Sequence, residues 1–102
     1  MGTNEPKPSA LIHLHACPTL ARGVRLQTDK STGEPVLLFP EGVFHLNPTA
    51  HDIVSRCDGK RTVEAIISSL AEEYDAPADS LRDDILDYLC QLLERKLLIF
   101  SP

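Results

Sequence analysis

Between His45 and Ala50 the apolar residues change period from two to 3.6, and this switch constrains the fold more than any other feature of the chain. Upstream of it, residues 24–28 alternate, residues 36–39 (Val-Leu-Leu-Phe) form a short continuous apolar run, and residues 43–46 alternate again. Runs of this length suit strands better than helices. Residues 29–35 and 40–42 are dense in turn formers, so the three runs read as an antiparallel β-meander. Downstream, Asn47-Pro48 supplies an N-cap acceptor and then a residue that needs no donor at the first helical position. Ala50, Ile53, Val54 and Cys57 follow at helical spacing, and Asp58-Gly59 stops that helix. Thr62 caps a second helix with Glu64 in its first turn and Val63, Ile66, Ile67 and Leu70 as its buried stripe. Ala76-Pro77 breaks the chain, and Ser80 with Asp83 reads as the capping pair of a third helix. The expected fold class is α+β, a three-stranded antiparallel β-meander followed by three α-helices.

The third helix carries more apolar surface than one small core requires. Leu81, Ile85, Leu86, Tyr88, Leu89, Cys90, Leu92 and Leu93 cover an arc of roughly 200°, against about 100° for an ordinary surface helix. The excess either closes a homodimer or lines a groove for a partner. The third strand offers a place for such a partner. Its unpaired edge carries His45 as the one polar side chain between Glu41 and Asn47, and an extended peptide could add there as a further strand. Proline at Phe44 or Leu46 is expected to remove a donor from that edge ladder.

Composition excludes several other classes. The chain has 102 residues, which is room for one domain, with residues 1–16 expected as a flexible tail and 17–102 as the folded unit. Within that tail, residues 11–15 alternate and form at most a marginal edge strand. A net charge of −5 with only ten scattered Lys and Arg does not suit nucleic acid, whose binding rests on phosphate neutralisation. No apolar run approaches 18 residues and no signal peptide opens the chain, so no membrane is expected and the location is cytoplasmic by default. Cys17, Cys57 and Cys90 are odd in number and widely spaced, which fits a reducing compartment. His13, His15 and Cys17 do not amount to a four-ligand structural zinc set. No phosphate loop, nucleophile elbow or metal-helix motif is present, so no enzyme, catalytic residue, metal or cofactor is expected. Asp79-Ser80-Leu81 matches the triplet that bears the phosphopantetheine arm of acyl carriers. Its strand-rich first half and the short chain after Ser80 argue against a carrier, and a helix-capping role suits Ser80 better.

Residues 18–26 (PTLARGVRL), 36–42 (VLLFPEG), 46–50 (LNPTA) and 57–63 (CDGKRTV) together closely resemble the PqqD family of pyrroloquinoline quinone (PQQ) biosynthesis. The likeness runs from about Pro18 to Phe100. It implies a winged-helix-like recognition element for a ribosomally made precursor peptide, PqqA, which such domains present to a radical-SAM enzyme, PqqE; the alternative is a different ribosomal precursor peptide of a related pathway. In related elements the leader peptide adds beside the third strand, in the cleft made with the third helix. By that resemblance Val43, Phe44, His45 and Leu46 form the edge. Leu81, Ile85, Tyr88, Leu89 and Leu92 form the groove wall.

Overall fold

The computed structural model describes residues 12–101. Its elements run β1 (Cys17–Leu20), β2 (Arg25–Thr28), β3 (Pro35–Phe39), β4 (Gly42–His45), α1 (Pro48–Val54), α2 (Val63–Glu73), α3 (Ala78–Glu94) and β5 (Leu98–Ser101). β2, β3 and β4 form the expected antiparallel meander in that spatial order, so β4 is an outer strand.

Local chemistry explains where the first two helices start. The Asn47 carboxamide oxygen accepts from the Ala50 N–H at 2.7 Å, and Pro48 occupies the first helical position. The Thr62 hydroxyl accepts from the Ala65 N–H at 3.0 Å, with Glu64 in the first turn. α1 ends at Val54, earlier than the sequence suggests, yet Cys57 stays buried and its thiol donates to the Ile53 carbonyl. Asp58 turns the chain: one carboxylate oxygen accepts from both the Lys60 and Arg61 N–H groups, and these bonds hold its pKa below the usual value.

α3 begins differently from its sequence expectation. It starts at Ala78 after an extended Pro77, with no side-chain cap, so Ser80 is inside the helix. Its hydroxyl donates to the Pro77 carbonyl at 2.8 Å. The Pro77 carbonyl also accepts from the Ser80 N–H at 3.1 Å, closing the first turn where no side chain caps it.

Two strands at the ends of the described chain form a second sheet that the sequence pattern did not suggest. β1 pairs antiparallel with β5, from Cys17 opposite Ser101 to Leu20 opposite Leu98. The packed unit also begins before Cys17. Ile12 is only 8% exposed and belongs to the core, while the Leu14 and Ala16 carbonyls accept from the Glu64 and Val63 N–H groups at 2.9 Å each. Those two bonds satisfy donors at the start of α2 that no helical carbonyl can reach. Residues 12–16, expected in the tail, are therefore part of the folded body; residues 1–11 lie outside those described.

The core collects Leu37 and Leu46 from the meander, Ala50, Ile53 and Val54 from α1, the α2 stripe, and Ile85, Leu86, Leu89 and Leu92 from α3. Ile85, Leu86, Leu89 and Leu92 of the wide apolar arc of α3 are thus consumed inside one chain, packed with α2 and β5, while Leu81, Tyr88, Cys90 and Leu93 are only partly buried.

Candidate functional site

The register of the meander decides which backbone groups face out. Antiparallel ladders alternate hydrogen-bonded with non-hydrogen-bonded pairs. The Leu46 N–H donates to the Pro35 carbonyl at 3.0 Å, which makes Pro35–Leu46 a bonded pair. Stepping by two, Leu37–Phe44 and Phe39–Gly42 share that status. Val43 and His45 therefore turn their N–H and C=O groups away from β3. Among the described residues, no other backbone segment bonds to them. The open ladder positions are Val43 and His45. Proline at Phe44 or Leu46, expected from sequence to strip the edge, would instead break the bonds that hold β4 to β3.

The same alternation sorts the side chains. Phe44 packs against the core cluster opposite Leu37, whereas Val43 is 50% exposed and His45 stands out on the other face. The opposite edge of the meander, β2, is a poorer template. Arg25, Gln27 and Thr28 are all exposed along it, and Lys30 follows in the turn. Charge and polarity of this kind blunt an edge.

Beside the end of β4 lies a largely apolar cavity of about 160 Å3 between α1, α2 and α3. An apolar cavity of about 150 Å3 admits a benzene ring, so this one has room for one aromatic or branched side chain. Leu81, Ile85 and Tyr88 wall it from α3, with Ala50 and Ile53 from α1 and Leu70 from α2. Asn47, Thr49, Tyr74 and Asp84 bring its polar atoms, and the Tyr74 hydroxyl is itself tied to the Asp52 carboxylate. From the C-terminal end of α3, the Arg95 guanidinium sits 5.0 Å from the centre of the Phe44 ring, within cation–π range. β4 and α3 are thus associated at Phe44–Arg95, and the cavity opens past the C-terminal end of the strand, at Asn47.

This geometry separates the nine residues expected at the site. Val43, Phe44, His45, Leu81 and Tyr88 keep accessible surface. Ile85 is 3% exposed and contributes to the cavity wall. Leu46, at 4%, and Leu89 and Leu92, at 0%, are core residues that a bound segment would not reach. Asn47, Thr49, Asp84 and Arg95 were not anticipated. Helical spacing could have found the last two, because Asp84, Tyr88 and Arg95 share a face with Leu81 at steps of three, four and seven residues.

Tyr88 carries an anomaly. Its hydroxyl is buried without a hydrogen-bond partner among the described residues, and burial pushes the phenol up to about 12. A buried hydroxyl left unpaired costs about 1–3 kcal/mol. Tyr88→Phe is therefore expected to stabilise the fold by about 1 kcal/mol, measured as a higher midpoint in urea at unchanged slope.

Other groups singled out in the sequence do not assemble here. Among the described residues, no three His, Cys, Asp or Glu side chains gather as a metal site, and His13, His15 and Cys17 stay apart in this respect. No described helix is long and apolar enough to cross a membrane.

A short antiparallel meander with an open outer strand, flanked by a helix and a side-chain-sized cavity, defines a small α+β domain with one uncovered sheet edge. The profile of the family described as "Coenzyme PQQ synthesis protein D (PqqD)" matches residues 34–98. The chain belongs to the PqqD family. It is 37% identical over 87 residues to a PqqA binding protein of Xanthomonas campestris pv. campestris (strain B100), covering 85% of this chain and 95% of that one. A PqqA binding protein of Rhizobium meliloti (strain 1021) is 38% identical, over 78% of this chain and 81% of the relative. In three dimensions the chain is similar to the PqqD truncation of Methylobacterium extorquens PqqCD, described as a functional and stand-alone RiPP recognition element. That similarity has a TM-score of 0.76 at 33% identity and covers 91% of this chain and 99% of the other. The crystal structure of PqqD from Xanthomonas campestris is similar with a TM-score of 0.51 at 37% identity, covering 84% and 97%.

Proposed function

We propose that this chain binds the ribosomal precursor peptide PqqA as an added strand on β4 and presents it to the radical-SAM enzyme PqqE, in the cytoplasm, without catalysing a step itself. The observation that carries the reading is the open ladder at Val43 and His45 beside an apolar cavity, in a member of the PqqD family. Backbone bonds to that ladder supply affinity with little regard to sequence, and the cavity supplies selectivity by accepting one apolar side chain. Leu81 and Tyr88 meet that side chain, while Leu46, Leu89 and Leu92 hold the platform from beneath. Holding the peptide extended leaves the rest of it free for an enzyme. The relatives named PqqA binding protein support the choice of peptide.

Amide chemical shifts measured during titration with PqqA test this reading. The largest changes are expected at Val43, His45, Asn47, Leu81, Asp84 and Tyr88, with small ones along β2 and β1. Saturable binding that perturbs β2 or β5 and spares β4 would overturn the strand assignment.

A further inference from the structure

The basic side chains of this acidic chain are not evenly used. Arg56, Arg61 and Arg82 each have a carboxylate partner, at Glu73, Asp58 and Asp79. Arg22, Arg25, Lys30, Lys60, Arg95 and Lys96 have none within 4.0 Å among the described residues, and of these Arg22, Arg95 and Lys96 gather in one surface notch of about 220 Å3 at the β3–β4 turn. One acid, Glu41, lines the same notch and pairs with none of them. The fold brings these cations together. The Ala21 N–H donates to the Leu97 carbonyl at 2.9 Å, which fixes the Arg22 turn against the end of α3. Arg95 is steadied by the Phe44 ring.

Lys96 is the position at which the notch can be probed without loss of fold. Its φ is +61°, and its N–H and that of Leu97 bond back to the Leu93 and Leu92 carbonyls in a Schellman-type helix end. Glycine is the residue that fits this left-handed position, and a lysine there is strained.

We infer that this notch is a carboxylate subsite, receiving an Asp or Glu side chain of the peptide bound on β4. The inference rests on the strand-addition reading and extends it to a charge and a position. The notch is lined by Pro40 and Glu41, the turn that leads into β4, and the apolar cavity by Asn47, just past the strand's end. An added strand pairing antiparallel, as every strand in this sheet does, runs from the cavity toward the notch. At about 3.3 Å per residue, the acidic side chain then lies about five residues C-terminal to the apolar one. Opposite charges at the two ends reinforce that direction, because Asp84 lies at the cavity and the cations at the notch.

The test titrates PqqA against the full chain and its Lys96→Gly and Arg22→Gln variants, with melting temperatures recorded alongside. Lys96→Gly is expected to keep or raise the melting temperature while weakening binding about tenfold at low salt, as loss of a charge-assisted bond does. Changing one peptide Asp or Glu to its amide should weaken binding to the parent chain equally, and have little further effect on Lys96→Gly. Unchanged affinity in both variants, with the parent binding normally, overturns the subsite and leaves strand addition standing. Absence of binding by the parent chain overturns both.

Discussion

Replacing His45 by proline is expected to weaken PqqA binding at least about tenfold while the domain stays folded. The His45 N–H points away from β3, so proline removes no bond of the existing sheet. Proline is tolerated on outer strands for that reason. What it removes is one of the two open donors of the edge, and its ring occupies space that an added strand must enter at about 4.8 Å. One lost ladder bond gives up to about tenfold in affinity, and the ring adds to that. Phe44→Pro is the informative control. Phe44 pairs with Leu37 in the bonded register, so proline there strips β4 from β3 and lowers the melting temperature sharply. A folded His45→Pro variant that binds PqqA as tightly as the parent would remove β4 as the docking edge.

The contrast between those two positions shows where sequence reading stops. The period of two at residues 43–46 announces a strand, and the turn at residues 40–42 announces its neighbour. Neither announces which residues of the strand bond inward. That depends on register, which a single bond from Leu46 to Pro35 fixes. Helix caps are more legible, because Asn47 and Thr62 act on donors three residues away. Ser80 misleads because Pro77 opens the helix from a position with no capping side chain. The β1–β5 sheet is the least legible element. Cys-Pro-Thr-Leu has no clear alternation, and its partner lies at the other end of the domain. Only closure of the whole fold brings the two together, and local propensity carries little information about such non-local pairing.

α3 illustrates the same limit for the site itself. Its apolar arc is real, but width alone does not say which part faces solvent. α2 and β5 take the Leu86–Leu89–Leu92 side, so what remains accessible is the flank with Leu81, Asp84, Tyr88 and Arg95. A strip of mixed polarity is harder to see in a sequence than a leucine row. It is also better suited to selective binding, since apolar contact and charge can each reject a wrong partner.

Leu89→Ala and Leu81→Ala separate these two roles. Leu89 is fully buried, and its truncation is expected to cost about 3 kcal/mol through lost transfer energy and the cavity left behind. Against a total stability of about 5–15 kcal/mol for a small domain, that is a large loss, visible in urea unfolding. Any weakening of PqqA binding by Leu89→Ala should vanish when affinity is referred to the folded fraction. Leu81 is only half-buried at the cavity wall, so its truncation removes less stability, about 1 kcal/mol or below. It widens the pocket proposed to take the apolar anchor of the peptide, and its affinity loss should persist after the same correction. If instead Leu89→Ala weakens binding by the folded chain and Leu81→Ala leaves it intact, the groove lies on the leucine face of α3, and β4 with its cavity is not the place where the peptide is held.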